Sequence, residues 1–251
     1  MSVNWTEAGV SKTGPSWSQM VEQSARILGY KDPELLHMRG TELQILEYFR
    51  IKKNNFAPLT NWMVRLMEAP SNAIKDSKIH TALCQLSQCV IFYTTNYDDF
   101  LERALEASGR EVRVIATEGD MGLPSSATQV IKFHGDFNNP DDMVVSEVQY
   151  YRRMKLESPM DLKLRSDLFG RAVLFVGYSF RDMNVAYLFQ NVNEMFKHLP
   201  HSFSGKRAYI IVHNPSDFEN RLFYARNIEV IPTFGSDRVA ATAELLADLA
   251  T

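Results

Sequence analysis

The sequence predicts an α/β protein, a Rossmann-like, doubly wound parallel sheet with a helical module inserted at about residues 30–88. Three observations predict it. Short, continuous apolar runs recur from residue 90 onward, helical patterns separate them, and the stretch before residue 88 is helical throughout. Continuous rather than alternating apolar runs suit strands covered on both faces, as in a parallel sheet. Strands alternating with helices are the signature of doubly wound folds.

Taken in chain order, Trp17, Met20, Val21, Ile27 and Leu28 recur at helical spacing, with Gly14-Pro15 as the opening and Gly29 as the stop. From Asp32 to Gln88 the helical pattern continues through Leu35, Leu36, Leu43, Leu46, Phe49, Trp62, Leu66, Ile79, Leu83 and Leu86. Gly40, Asn54-Asn55 and Pro70 divide it into three or four short helices. Strand-like runs come next, at residues 90–93, 112–115, 130–133, 172–176, 209–212 and 228–231. Helical patterns fall at 99–108, ending at Gly109, and at 183–196. With no Pro/Gly/Ser-rich linker, residues 1–251 read as one domain.

Composition removes several classes of function. The chain is 45% apolar and 23% charged, and its 12 Gly and 10 Pro are far too few for a low-complexity or collagen-like chain. Two cysteines, Cys84 and Cys89, form no disulfide framework and cannot supply four zinc ligands; two free thiols suit a reducing, cytoplasmic setting. A net charge of −3 argues against a domain built to neutralise phosphates, so no direct nucleic-acid binding is expected, and Lys52-Lys53 is too short a basic run to change that. The amino terminus lacks the basic-then-apolar pattern of a signal peptide. The longest apolar runs fall well short of the ~20 residues that span a bilayer, so no membrane partner is expected. His198 and His201 have no third ligand at suitable spacing and read as a solvated loop.

Position is what gives the polar residues meaning. In open α/β sheets ligands bind beyond the carboxyl ends of the strands. Four of the apolar runs end on polar segments: Thr94-Thr95-Asn96-Tyr97-Asp98, His134-Gly135-Asp136, Gly177-Tyr178-Ser179-Phe180-Arg181-Asp182 and His213-Asn214. Together these are what a nucleotide crevice needs: glycine for close backbone approach, hydroxyls and amides for ribose, and an imidazole for proton transfer. Each also has a plain structural reading. Asn96, Asp98, Ser179 and Asp182 suit helix caps, His134 a hydrogen-bonded loop, and Asn214-Pro215 a turn.

As a set, these segments resemble the sirtuin family, and most closely its bacterial silent-information-regulator-like NAD-hydrolase branch. Residues 94–98 resemble the family's Thr-Gln-Asn-Ile-Asp segment. His134-Gly135 matches its His-Gly pair, and Gly177-Tyr178-Ser179 with Asp182 is similar to the loop of the defence-associated branch. Ala8-Gly9-Val10-Ser11, extended by Gly14-Pro15-Ser16-Trp17, resembles its phosphate loop. Two departures stand out. Glu7 occupies the place of the family's first glycine, with no convincing strand before it, and a carboxylate there repels a pyrophosphate. The paired Cys-x-x-Cys motifs of zinc-containing deacetylating sirtuins are absent, and Cys84 and Cys89 read as buried apolar residues.

The resemblance implies an NAD glycohydrolase that yields nicotinamide and ADP-ribose or a cyclic variant. NAD is then a substrate, with no cofactor and no zinc expected. Asn96 and His134 would be catalytic, Asn96 holding the ribose or the attacking water and His134 acting as general base. Asp98 would accept from the nicotinamide carboxamide, Gly9 and Ser11 would approach the phosphates, and Gly177, Ser179 and Asn214 would line the ribose and adenine. Family members of this kind deplete NAD in anti-phage defence, often as homo-oligomers beside a separate sensor such as a ring-shaped ATPase translocase or an Argonaute-type protein. Two other readings stay open: a binding-only module for NAD or ADP-ribose, and an NAD-dependent protein deacylase. A dehydrogenase is disfavoured because no Gly-x-Gly-x-x-Gly follows a strand.

Overall fold

A computed structural model describes residues 3–122, 126–155, 157–178 and 208–251, together with positions 187, 190, 191 and 194. Its internal contacts divide the chain into two compact units, one running up to Arg152 and one from Arg153 onward.

The first unit opens with an antiparallel hairpin, β1 (Asn4–Glu7) and β2 (Val10–Thr13). Ala8 (φ 50°) and Gly9 (φ 78°) are both left-handed, as a two-residue type I′ hairpin turn requires. A strand does therefore lead into Glu7, its last residue, contrary to the expectation from sequence, but among the described residues it pairs only with β2. Short, mostly polar strands such as these lack the apolar run that would have revealed them.

Next come helices α1 (Trp17–Ile27), α2 (Glu34–His37), α3 (Glu42–Lys53), α4 (Ala57–Leu66), α5 (Ser71–Lys75) and α6 (Lys78–Gln85). The helical module thus holds five helices rather than three or four. Gly40, Asn54 and Pro70 separate helices as expected, and the additional break is Asp76-Ser77, between α5 and α6. Asn54 ends α3 in the left-handed conformation at φ 62°, and Thr41 opens it with a capping box to Gln44. Likewise α1 starts at Ser16, whose hydroxyl accepts from the Gln19 amide at 3.3 Å while the Gln19 side chain accepts from the Ser16 amide at 2.8 Å; Gly14-Pro15 lies just outside. Met20, Val21, Ile45, Leu46, Phe49, Phe56, Leu59 and Met63 form one buried cluster with Met143 and Val145.

Three parallel strands come after the module in the order β3-β5-β4: β3 (Ile91–Thr94), β4 (Val112–Ile115) and β5 (Thr128–Lys132). Helix α7 (Phe100–Ala107) connects β3 to β4, and Gly109 at φ 87° follows its end as expected. Helix α8 (Glu147–Met154) closes the unit.

The second unit holds α9 (Pro159–Gly170), β6 (Val173–Phe175), β7 (Ala208–His213), α10 (Asp217–Ala225), β8 (Ile228–Thr233) and α11 (Arg238–Asp248). Its sheet is parallel, in the order β6-β7-β8, over a core of Phe175, Ala208, Ile210, Phe223 and Ile228. All six strands read from the apolar runs are present, and both sheets are parallel, in keeping with a Rossmann-like α/β fold. The helix expected at 183–196 lies outside the described residues except at positions 187, 190, 191 and 194, which are helical. The His198–His201 segment also lies outside them. Among the described residues, no helix is long and apolar enough to cross a membrane.

Candidate functional site at the ends of β3 and β5

Strands β3 and β5 are neighbours, and Thr94 and Lys132 are their last Cα partners. Asn96 and His134 each lie two residues beyond that pair, so they leave the sheet at the same carboxyl edge. This is the edge at which an open α/β sheet receives ligands.

The chain leaving β3 is fixed by several bonds. The Asn96 amide donates to the Thr94 hydroxyl at 3.1 Å, and the Tyr97 hydroxyl donates to the Val144 carbonyl at 2.8 Å. Asp98 accepts from the Phe100 amide at 3.2 Å in a turn that leads into α7, whose N-cap residue is Asp99. Asn96 is exposed, and its carboxamide has no partner among the described residues. The Asn96 side chain therefore takes no part in opening α7, although its sequence position suits a cap.

The chain leaving β5 is more enclosed. His134 is 2% exposed, with its ring 5.5 Å from that of Tyr150 and 5.9 Å from that of Phe133. Tyr150 in turn meets Trp17 of α1 at 6.3 Å. The His134 carbonyl accepts from the Val144 amide at 2.9 Å. Gly135 follows at φ 78°, and a Cβ there would lie 3.1 Å from both the Asp142 carbonyl oxygen and the Met143 Cα, so only glycine fits without moving backbone. Asp136 closes the turn, accepting from the amides of Asn138 at 3.0 Å and Asn139 at 3.1 Å and from both their side chains.

The segment after this turn is tied to the helical module. Burial alone would raise the Glu47 carboxyl, but bonds from Arg50 and the Val148 amide outweigh it and hold the group below the usual carboxylate range. Glu47 thus sits, charged, at the amino end of α8, where a carboxylate is favoured.

Beneath both chain ends lies a buried ionic cluster that the sequence pattern did not single out. Lys132 is 1% exposed, and its ammonium pairs with Glu102 of α7 at 2.8 Å and donates to the Asp98 carbonyl. Burial pushes the Asp98 and Glu102 carboxyls upward, and the Lys132 charge opposes this at each. The one signal in the sequence was a lysine inside the apolar run 130–133.

The remaining expected residues lie elsewhere. Gly9 is the hairpin tip, with nothing within 4 Å of a Cβ built on it, and Ser11 is exposed on β2. Glu7 pairs with Lys12 across the hairpin. In the second unit, Gly177 follows β6 at φ 73°, while Ser179 lies outside the described residues. Asn214, at φ 48°, donates from its side chain to the Gly235 carbonyl at 3.2 Å, and its own amide bonds the Thr233 carbonyl at 2.8 Å. Cys84 and Cys89 are half-buried rather than buried. Cys84 packs beside the cluster of Val3, Trp5 and Phe100, and burial pushes its thiol up.

Comparison with known proteins gives this strand edge a family. The model of the SIR2-like domain matches residues 90–231, which include both chain ends just described. The chain belongs to the SIR2-like domain family. It is similar to proteins named NAD(+) hydrolase ThsA: 26% identical over 168 residues to that of Acinetobacter baumannii (strain 532279), covering 65% of this chain and 34% of the relative. With that of Cytobacillus dafuensis the identity is 26% over 179 residues, 70% of this chain and 34% of the relative. Defense-associated sirtuin 2 of Bacillus subtilis is 27% identical over 138 residues, 53% of this chain and 13% of the relative. The chain thus spans about a third of the length of the ThsA proteins. Within the SIR2-like match, the β3–β5 edge contributes an exposed carboxamide, a buried imidazole and a turn that admits only glycine.

Proposed function

We propose that this chain is an NAD glycohydrolase, cleaving NAD to nicotinamide and ADP-ribose or a cyclic variant. The observation that carries the reading is the emergence of Asn96 and His134 from neighbouring parallel strands at matched register in a SIR2-like domain. Relatives named NAD(+) hydrolase support the substrate.

Nicotinamide is bound to ribose through a cationic ring nitrogen, so it leaves as a neutral molecule once it takes the bonding electron pair. The protein's task is to stabilise the oxocarbenium-like ribose and to supply the nucleophile. Asn96, with its carboxamide exposed, holds the ribose or the attacking water. His134 takes a proton from that water or from a ribose hydroxyl. Asp98 receives the nicotinamide carboxamide. The same resemblance assigns Gly9 and Ser11 to the phosphates and Gly177, Ser179 and Asn214 to the ribose and adenine. No zinc or other cofactor takes part in this scheme. The role we propose is an NAD-depleting effector of anti-phage defence, acting as a homo-oligomer beside a separate sensor; one relative's name, Defense-associated sirtuin 2, supports the defence part.

Chromatography of NAD incubated with the purified chain tests the reading. Nicotinamide release is expected, and His134→Ala should lower it at least ~100-fold with an unchanged circular dichroism spectrum. Equal turnover in the variant would remove His134 as the base. Tight NAD binding by calorimetry without any product, even alongside a sensor, would establish the binding-only module instead.

A further inference from the structure

We infer that Lys132 is the positioning residue of this site: from beneath the sheet edge it holds the chain between Thr94 and Asp98, and with it Asn96, in place beside His134. This deepens the glycohydrolase reading and rests on it for its catalytic part.

The β3 exit is fastened to β5 at both ends, by Phe133 at the near end and by the Lys132 side chain at the far end. At the near end, Thr94 is the register partner of Lys132, and the Phe133 amide donates to the Thr94 carbonyl at 2.8 Å. At the far end, the Lys132 ammonium donates to the Asp98 carbonyl. Two adjacent residues at the end of β5, Lys132 and Phe133, therefore bracket the excursion that carries Asn96. The Gly135 amide also bonds the Lys132 carbonyl, at 2.9 Å, so the same residue starts the turn after His134.

Stability does not explain such a residue. Burying a lysine and a glutamate together costs several kcal/mol, and well-packed apolar replacements of such pairs are often neutral or stabilising. The pair is also incompletely satisfied, because Glu102 Oε2 is buried without a hydrogen-bond partner among the described residues. An apolar side chain at residue 132 would suit the interior of β5 equally well, but it could not bond a carbonyl four residues past the end of the neighbouring strand. What the ammonium adds is position. The raised Asp98 and Glu102 carboxyls fit this picture, since one cation serves two acidic neighbours in a dry setting. Lys132 is enclosed at 1% exposure and acts on substrate only through Asn96 and Asp98.

The test uses the full chain carrying Lys132→Met together with Glu102→Leu, so that Glu102 is not left buried without its partner; Asp98, whose carboxyl burial already pushes upward, is kept. A cooperative thermal melt establishes that it folds. Hydrogen exchange at the amides of residues 96–100 is then compared with that of β4, and NAD turnover is measured over a range of substrate concentrations. Exchange at 96–100 should rise about tenfold while β4 stays unchanged. The kcat should fall about 100-fold, because displacement of a catalytic group by about 1 Å has that effect, with a smaller rise in KM through the loosened Asp98. A general loss of packing would instead raise exchange everywhere, β4 included, which would overturn the inference. Wild-type exchange at 96–100 would overturn it equally. If the wild-type chain releases no nicotinamide while the variant loosens only residues 96–100, the glycohydrolase reading fails and the tether stands. Should the double variant not fold, Lys132→Arg supplies the same readouts, with the tether expected to survive and kcat to stay within about threefold.

Discussion

The hairpin tip at Ala8-Gly9 and the turn at His134-Gly135 both look like nucleotide-binding glycine segments in sequence, yet they are built differently. Gly9 has open space around it, on strands where Trp5 is the only buried residue and Val10 is 60% exposed. Gly135 is pressed against the backbone of Asp142 and Met143, beside an enclosed histidine and a turn fully bonded to Asp136. The first glycine serves only a turn angle, whereas the second serves both an angle and a close approach. Identical residue types thus differ in what a substitution meets, and polar groups differ in whether water is present to compensate them.

The largest break in this comparison comes from alanine at each glycine. Gly135→Ala combines left-handed strain with a backbone collision and should lower stability by about 3–4 kcal/mol, whereas Gly9→Ala adds strain alone, about 1 kcal/mol. Urea denaturation of the two variants measures the gap; equal losses would abolish the distinction.

A second, slightly smaller effect contrasts buried with exposed titrating groups. His80 of α6 is 3% exposed and bonded to the Ser77 hydroxyl at 2.7 Å, and burial lowers its pKa to about 4. Its imidazole is neutral in the folded chain, while the unfolded chain takes up a proton below about pH 6.5. The contribution is therefore complete above pH 6.5 and lost as pH falls toward 4, by about 3 kcal/mol. His80→Gln should flatten that part of the stability–pH curve. The raised Asp98 and Glu102 carboxyls act in the opposite sense, favouring the folded chain as pH falls, so wild type and variant are compared at matched pH.

The smallest effect sharpens the role of the hairpin. Glu7 and Lys12 are largely exposed, so Glu7→Gln should change stability by less than about 1 kcal/mol. If Gly9 and Ser11 approach the phosphates as proposed, losing this carboxylate should tighten NAD binding about fivefold. An unchanged Kd in titration calorimetry would take Gly9 and Ser11 out of the site.

The strands were legible because a strand covered on both faces carries a continuous apolar run, and 91–93, 130–131 and 208–212 supply one, although β5 also carries Thr128, Gln129 and Lys132. The hairpin was not legible, because exposed strands leave no apolar run. Helices α9 and α10 were missed although each announces itself with a capping box, Ser158 to Asp161 and Ser216 to Glu219. The strand ends bearing Asn96, His134 and Gly135 were readable from position alone. Their support was not, since Lys132, Glu102 and the Asp98 carbonyl meet only after α7 has packed against the sheet. Nothing in the spacing of residues 98, 102 and 132 marks them as neighbours.

The strand order β3-β5-β4 has a consequence in time. Of these three strands the one that comes last in sequence takes the middle place, so neither outer strand has its sheet partner until β5 inserts. Parallel pairing over such separations is slow, because loop closure must precede the contacts that stabilise it. The register that brings Asn96 and His134 to one edge and the Lys132–Glu102 pair arise in that same event. A chain emerging from synthesis can hold its helices early and still have no edge on which a dinucleotide could rest. Any activity that depends on this edge arrives with β5.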